Sequence, residues 1–126
     1  MANEITVTGS LQYANPAQNI AQIGLSIFNT LFSITGKNYT YGTMSVPTTS
    51  GGTAIPIANL SSLGWAIFKN NDPTNYVQLM SAVSGTVFPK LFPGEIALFR
   101  FDSSVTAPAA IAHTASVLLE YLILED

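Results

Sequence analysis

Punctuation constrains this chain most: short runs of alternating apolar and polar residues, broken by Gly, Pro and Asn clusters roughly every 8–12 residues. A period of two sends successive side chains to opposite faces of a strand. In residues 4–13, Ile5, Val7, Leu11 and Tyr13 share one parity. Residues 19–35 carry two patterns. Ile20, Ile23, Ile27, Leu31 and Ile34 keep helical spacing, while Ile23, Leu25, Ile27 and Leu31 also share a strand face. Gly24 and the β-branched and aromatic content favour strand. A turn at 36–38 leads to an extended stretch at 39–49 and a glycine loop at 50–52. Residues 53–60 read as a short strand that Pro56 confines to an edge or a bulge.

Residues 64–70 and 76–82 read as strands flanking an Asn- and Asp-rich turn, and hence as a hairpin. Residues 87–92 form a short edge segment with Pro89, closed by Pro93-Gly94, and 95–101 form another strand. Residues 109–115 read as loop or one helical turn. Residues 116–124 are apolar on both parities except at Glu120, as expected of a central strand buried on both faces. The sum is about eight or nine short strands. It predicts an all-β chain, a single-domain antiparallel β-sandwich or jelly roll over residues 1–126.

Composition bears on function. Of 126 residues, 48% are hydrophobic and only 9% charged, against about 25% charged in an average globular chain. Ser, Thr, Asn, Gln and Gly must then cover most of the exterior. Neutral polar groups cost far less to desolvate than charges, so such a surface suits contact with other protein. The four cations, Lys37, Lys69, Lys90 and Arg100, are scattered, which argues against nucleic-acid binding. No segment reaches the ~18 apolar residues that span a bilayer. The N-terminus lacks a basic region followed by an apolar stretch, so a cytoplasmic site of synthesis is expected.

No constellation of catalytic residues stands out. His113 is the single histidine and no Gly-x-Ser-x-Gly elbow accompanies the serines, so no enzyme, cofactor or metal is expected. Within residues 70–75, Asp72 reads as a turn-capping side chain rather than a Ca²⁺ ligand. Glu120, in its apolar strand, needs a partner if buried, and Arg100 is the expected one. Trp65, Tyr76, Phe88, Phe92, Phe99 and Phe101 read as a core and interface cluster, with a ring-stacking carbohydrate site as the alternative.

Residues 64–79, a strand followed by Asn-x-Asp-x-Thr-Asn-Tyr-Val and a second strand, resemble a segment of small structural proteins encoded by tailed phages. Residues 88–95 are similar to a Lys-Leu-x-Pro-Gly-Glu step of the same group. Ala97–Phe101, Ala107-Pro108 and Tyr121–Glu125 also look similar. The likeness covers residues 60–126 well and the first half loosely. It implies a β-sandwich virion component assembled in the host cytoplasm, first of all a capsid decoration (cement) protein. Such a protein is a homo-oligomer, expected here as a trimer, bound to the major capsid protein. A tail, neck or fibre-associated part is the alternative, although the chain has no repeat or heptad. The structural and interface residues expected are Trp65, Asn70, Asp72, Asn75, Tyr76, Lys90, Arg100 and Glu120, with residues 1–12 as an arm.

Overall fold

The structure, a computed structural model, describes residues 3–15, 20–34 and 36–126. The chain divides into two compact units, Met1–Thr35 and Gly36–Asp126.

The first unit is an antiparallel pair, β1 (Asn3–Asn15) with β2 (Ile20–Ile34). The second stretch is therefore strand, not helix. Ile5 lies opposite Phe32, Leu11 opposite Leu25 and Tyr13 opposite Ile23.

The second unit is a β-sandwich of eight strands: β3 (Tyr39–Val46), β4 (Thr53–Ala54), β5 (Leu63–Asn70), β6 (Val77–Met80), β7 (Val87–Leu91), β8 (Ile96–Arg100), β9 (Ala109–Ala112) and β10 (Val117–Glu125). One sheet has the order β3-β10-β5-β8 and the other β4-β9-β6-β7, with every pair antiparallel. The pairing is nested. β3 joins β10, β4 joins β9, β5 joins β8 and β6 joins β7, and the contacts β10–β5 and β6–β9 complete the sheets.

This nesting corrects two expectations. Residues 64–82 are not a hairpin, because β5 and β6 lie in different sheets. The turn between them is therefore a crossing from one layer to the other. Residues 109–112 are strand, with Ala109, Ala110 and Ala112 essentially inaccessible. Small side chains there leave room for rings from the facing sheet. Phe68 stacks on Phe99 at 5.8 Å and meets Phe101 edge-on at 6.3 Å. Val46, Leu119, Tyr121 and Ile123 complete one side of the core, and Val77, Leu79 and Leu91 the other.

Turn chemistry follows local rules. The Glu95 N–H bonds to the Phe92 carbonyl at 3.0 Å, and Gly94 sits at φ +81°. Pro93 with a left-handed Gly after it is the demand of a type II turn. Only Thr53–Ala54 of the segment containing Pro56 is strand, at a sheet edge. β7, with Pro89, is likewise an edge strand.

β10 is central, as expected, but not buried on both faces. Val117, Leu119, Tyr121, Ile123 and Glu125 point inward, while Leu118 is 45% exposed and Glu120, Leu122 and Leu124 are half-buried. The other sheet packs on one face alone.

At the end of β10 the Glu125 carboxylate is buried and accepts five hydrogen bonds. They come from the Lys37 and Asn38 N–H groups, the Asn38 side chain, the Ser61 N–H and the Ser61 hydroxyl, at 2.7–3.2 Å. The Ser61 backbone and hydroxyl donors, then the Lys37 N–H, hold its carboxyl down to about 2. Hydrogen bonds to the charged form have this effect. Glu125 thus fastens the start of the sandwich and the 61 loop to the last strand.

Candidate functional site

The eight residues singled out in the sequence fall into three places. Asn70, Asp72 and Asn75 build the crossing turn. The Asn70 side chain is fully buried; it accepts from the Asp72 N–H at 2.8 Å and donates to the carbonyls of Asn75 and Leu91 at 2.9 Å each. The bond to Leu91 reaches β7, so Asn70 ties one sheet to the other. Asp72 caps the turn by accepting from the Thr74 and Asn75 N–H groups. Those N–H groups, Asn75 first, hold its carboxyl below the ordinary range. Asp72 thus has the turn role, and its Oδ1 is occupied by the chain itself.

Tyr76 and Lys90 lie against the outside of the β4-β9-β6-β7 sheet. The Lys90 ammonium is 4.0 Å from the Tyr76 ring centroid and 5.2 Å from that of Phe92. His113 stacks on Tyr76 at 5.5 Å and bonds to Gln78 Oε1 at 2.6 Å. Lys90 lies on β7 and His113 directly follows β9, the two strands that flank β6, so Tyr76 is enclosed by its own neighbours.

Trp65, Arg100 and Glu120 lie on the outside of the other sheet, where Trp65 and Arg100 are cross-strand partners. The expected Glu120–Arg100 pair does not form. Arg100 pairs with Asp126, because β5 separates β8 from β10. Glu120 instead accepts from the Tyr41 hydroxyl at 2.6 Å and the Asn71 amide at 3.1 Å, opposite Lys69. The Tyr41 hydroxyl, then Asn71, holds Glu120 below the ordinary carboxylate range, and the same bond raises Tyr41.

This second exterior also carries what the sequence reading missed. The register places Tyr41 beside Leu122, Leu122 beside Ile67 and Ile67 beside Leu98. An apolar row thus crosses all four strands on the solvent side. Tyr39 and Tyr41 are each 62% exposed, Ile96 58% and Leu98 40%. Four strands about 4.8 Å apart and six rises along β3 give a face of roughly 400 Å². The apolar row is a strip of that face, whose remainder includes Thr43, Ser45, Lys69, Glu120 and Arg100. The available signal was the double-parity apolar run of β10, which was read as burial on both faces.

The six rings proposed as a cluster do not share one platform. Phe99 and Phe101 pack against the core, Trp65 is on the first sheet's exterior, and Tyr76 and Phe92 are on the second's. Phe88 is 83% exposed beside an apolar cleft of about 320 Å³. The cleft is lined by Leu79, Met80, Phe99 and Phe101 among others. Among the described residues no group of three or more His, Asp or Glu side chains is placed to hold a metal, and no helix is long and apolar enough to cross a membrane.

No protein-family profile, curated protein or solved structure matches this chain.

Proposed function

We propose that this chain is a non-enzymatic assembly module: a virion structural protein that decorates an assembled phage head, joining copies of itself to the major capsid protein. The observation that carries the reading is the apolar row Tyr41–Leu122–Ile67–Leu98 on the outer face of one sheet, with Tyr41 and Leu98 exposed and Leu122 and Ile67 half-buried. Exposed tyrosines, together with a chain that is only 9% charged, are features shared with interface cores. The nested pairing of β3–β10 reads as a jelly roll, an architecture used in capsid and lectin domains. That is support by analogy of fold only.

A module of this kind stabilises a shell because it binds the assembled lattice and not free subunits, so its binding free energy adds to that of the shell. An oligomer engages several lattice sites at once and gains avidity without new contacts.

The test has two arms. Light scattering on the purified chain gives its mass against 13.4 kDa for one copy. Co-sedimentation follows with empty heads assembled from the major capsid protein of the same genome. Oligomers that saturate heads and raise their disruption temperature support the reading. Saturation of isolated tails moves the site to the tail, neck or fibres. A monomer that ignores both particles overturns it.

A further inference from the structure

From the free edge of β3 we infer a second interaction surface: two copies of this chain join by antiparallel pairing of β3 with β3 about a two-fold axis centred on Thr43. This rests on the assembly reading above and names its elementary contact, which is a dimer rather than the trimer that the resemblance implies.

Among the described residues β3 has a hydrogen-bonded neighbour on one side only, β10. Known bonds fix which groups face outward. The Asn38 carbonyl accepts the Glu125 N–H at 2.9 Å, so the even positions of β3 turn their backbone towards β10. In an antiparallel ladder the direction alternates, so Tyr39, Tyr41, Thr43 and Ser45 turn theirs away. Two observations agree. The Tyr39 carbonyl is taken by the Asn59 side chain at 2.7 Å, and the Leu118 carbonyl, opposite Ser45, accepts from Asn71 on the far side of β10.

The other three edges of the sandwich carry protection that β3 lacks. β4 has two residues, β7 contains Pro89 and Lys90, and β8 is five residues long with Arg100 at its end. Short length, Pro and a basic side chain are the means by which natural sheets block further pairing. β3 has eight residues, no charge, no proline and no bulge against β10.

A second copy of the same strand fits this edge. With no charge on β3, no like charges meet across a two-fold, which always brings a surface against itself. Asn59 at one end and Pro47 at the other bound the usable edge to Tyr41, Thr43 and Ser45. Centring on Thr43 sets Tyr41 opposite Ser45 of the second copy and Thr43 opposite its mate, with about six new hydrogen bonds. Thr–Thr is a favourable cross-strand pair. All three side chains lie on the outer parity, so the apolar rows of both copies become one wider face.

The chain has no cysteine, so single substitutions report cleanly. In a hydrogen-bonded antiparallel pair the Cα atoms stand about 5.5 Å apart, inside the range a disulfide accepts. We expect Thr43→Cys to cross-link to a dimer under mild oxidation. Ser45→Cys lies about four residues out of register with its mate, roughly 13 Å away, and should cross-link at least tenfold more slowly. Thr43→Pro removes no bond to β10 and should lower the mass in solution while leaving the circular dichroism spectrum unchanged. Equal cross-linking of the two cysteine variants, or an oligomer of unchanged mass after Thr43→Pro, overturns the edge pairing and leaves the assembly reading intact. A native chain that stays monomeric at every concentration overturns both.

Discussion

The sheet β3-β10-β5-β8 is built from strands of eight, nine, eight and five residues, and its exterior carries an open apolar row beside Lys69, Glu120 and Arg100. The sheet β4-β9-β6-β7 has strands of two, four, four and five residues, and contacts among Lys90, Tyr76, His113 and Gln78 cover part of its exterior while Phe88 and Phe92 stay exposed. Both bury the same kind of interior. The difference teaches that one layer carries both the frame and the exported surface, while the other is a short lid held in place by turns. Under the assembly proposed above, aromatic content alone therefore does not locate the contact surface. Rings already enclosed by a neighbouring Lys and His offer little new area, whereas a row of Leu and Ile facing water does.

Substitutions can break this contrast or sharpen it. The largest loss is expected from Phe68→Ala in the long-stranded sheet, about 3–5 kcal/mol by chemical denaturation, because three packed rings lose their centre. A loss as large from Leu79→Ala in the lid would make the two sheets equal partners and break the comparison.

Asn70→Ala should cost about 2–3 kcal/mol, as it strands the buried Leu91 carbonyl and frees the turn. If the loss is instead below about 0.5 kcal/mol, the range of ordinary surface changes, the turn does not tie the sheets together.

Glu125 gives a pH signature. Its folded value, about 2, lies below its ordinary 4.5. Its contribution is therefore complete above about 4.5 and is lost as pH falls towards 2. Urea midpoints measured between pH 6 and pH 2 should drop in the native chain and drop less in Glu125→Gln. An unaltered slope in the variant would show that other carboxylates carry the dependence.

The smallest effects on stability separate the two exteriors most directly. Leu98→Lys and His113→Ala should each stay within about 0.5 kcal/mol of the native chain. Only Leu98→Lys should weaken co-sedimentation with assembled heads. Equal loss of assembly from both variants would erase the distinction.

The alternation in residues 4–13, the Pro93-Gly94 turn, the Asp72 cap and the edge positions of the proline segments were legible in the chain. Each depends on a residue and its near neighbours: a parity, a φ requirement, a missing N–H. The two-sided apolar run of residues 116–124 also announced a central strand. Glu120 marked one parity as the outer one, but the leucines beside it are as apolar as the inner residues, and so the solvent-side row of Leu122, Ile67 and Leu98 stayed hidden.

Sequence by itself determined that this chain is strands and turns with a nearly uncharged exterior, because pleating and turn chemistry act over a few residues. Only the tertiary structure decided that β5 joins β8 and β10 rather than β6, that Arg100 finds Asp126 and Glu120 finds Tyr41, and that one sheet leaves an apolar face and a bare edge. Those outcomes depend on pairing between segments as many as 85 residues apart in sequence, Tyr39 with Leu124. Packing of the whole interior selects that pairing, and no local pattern encodes it.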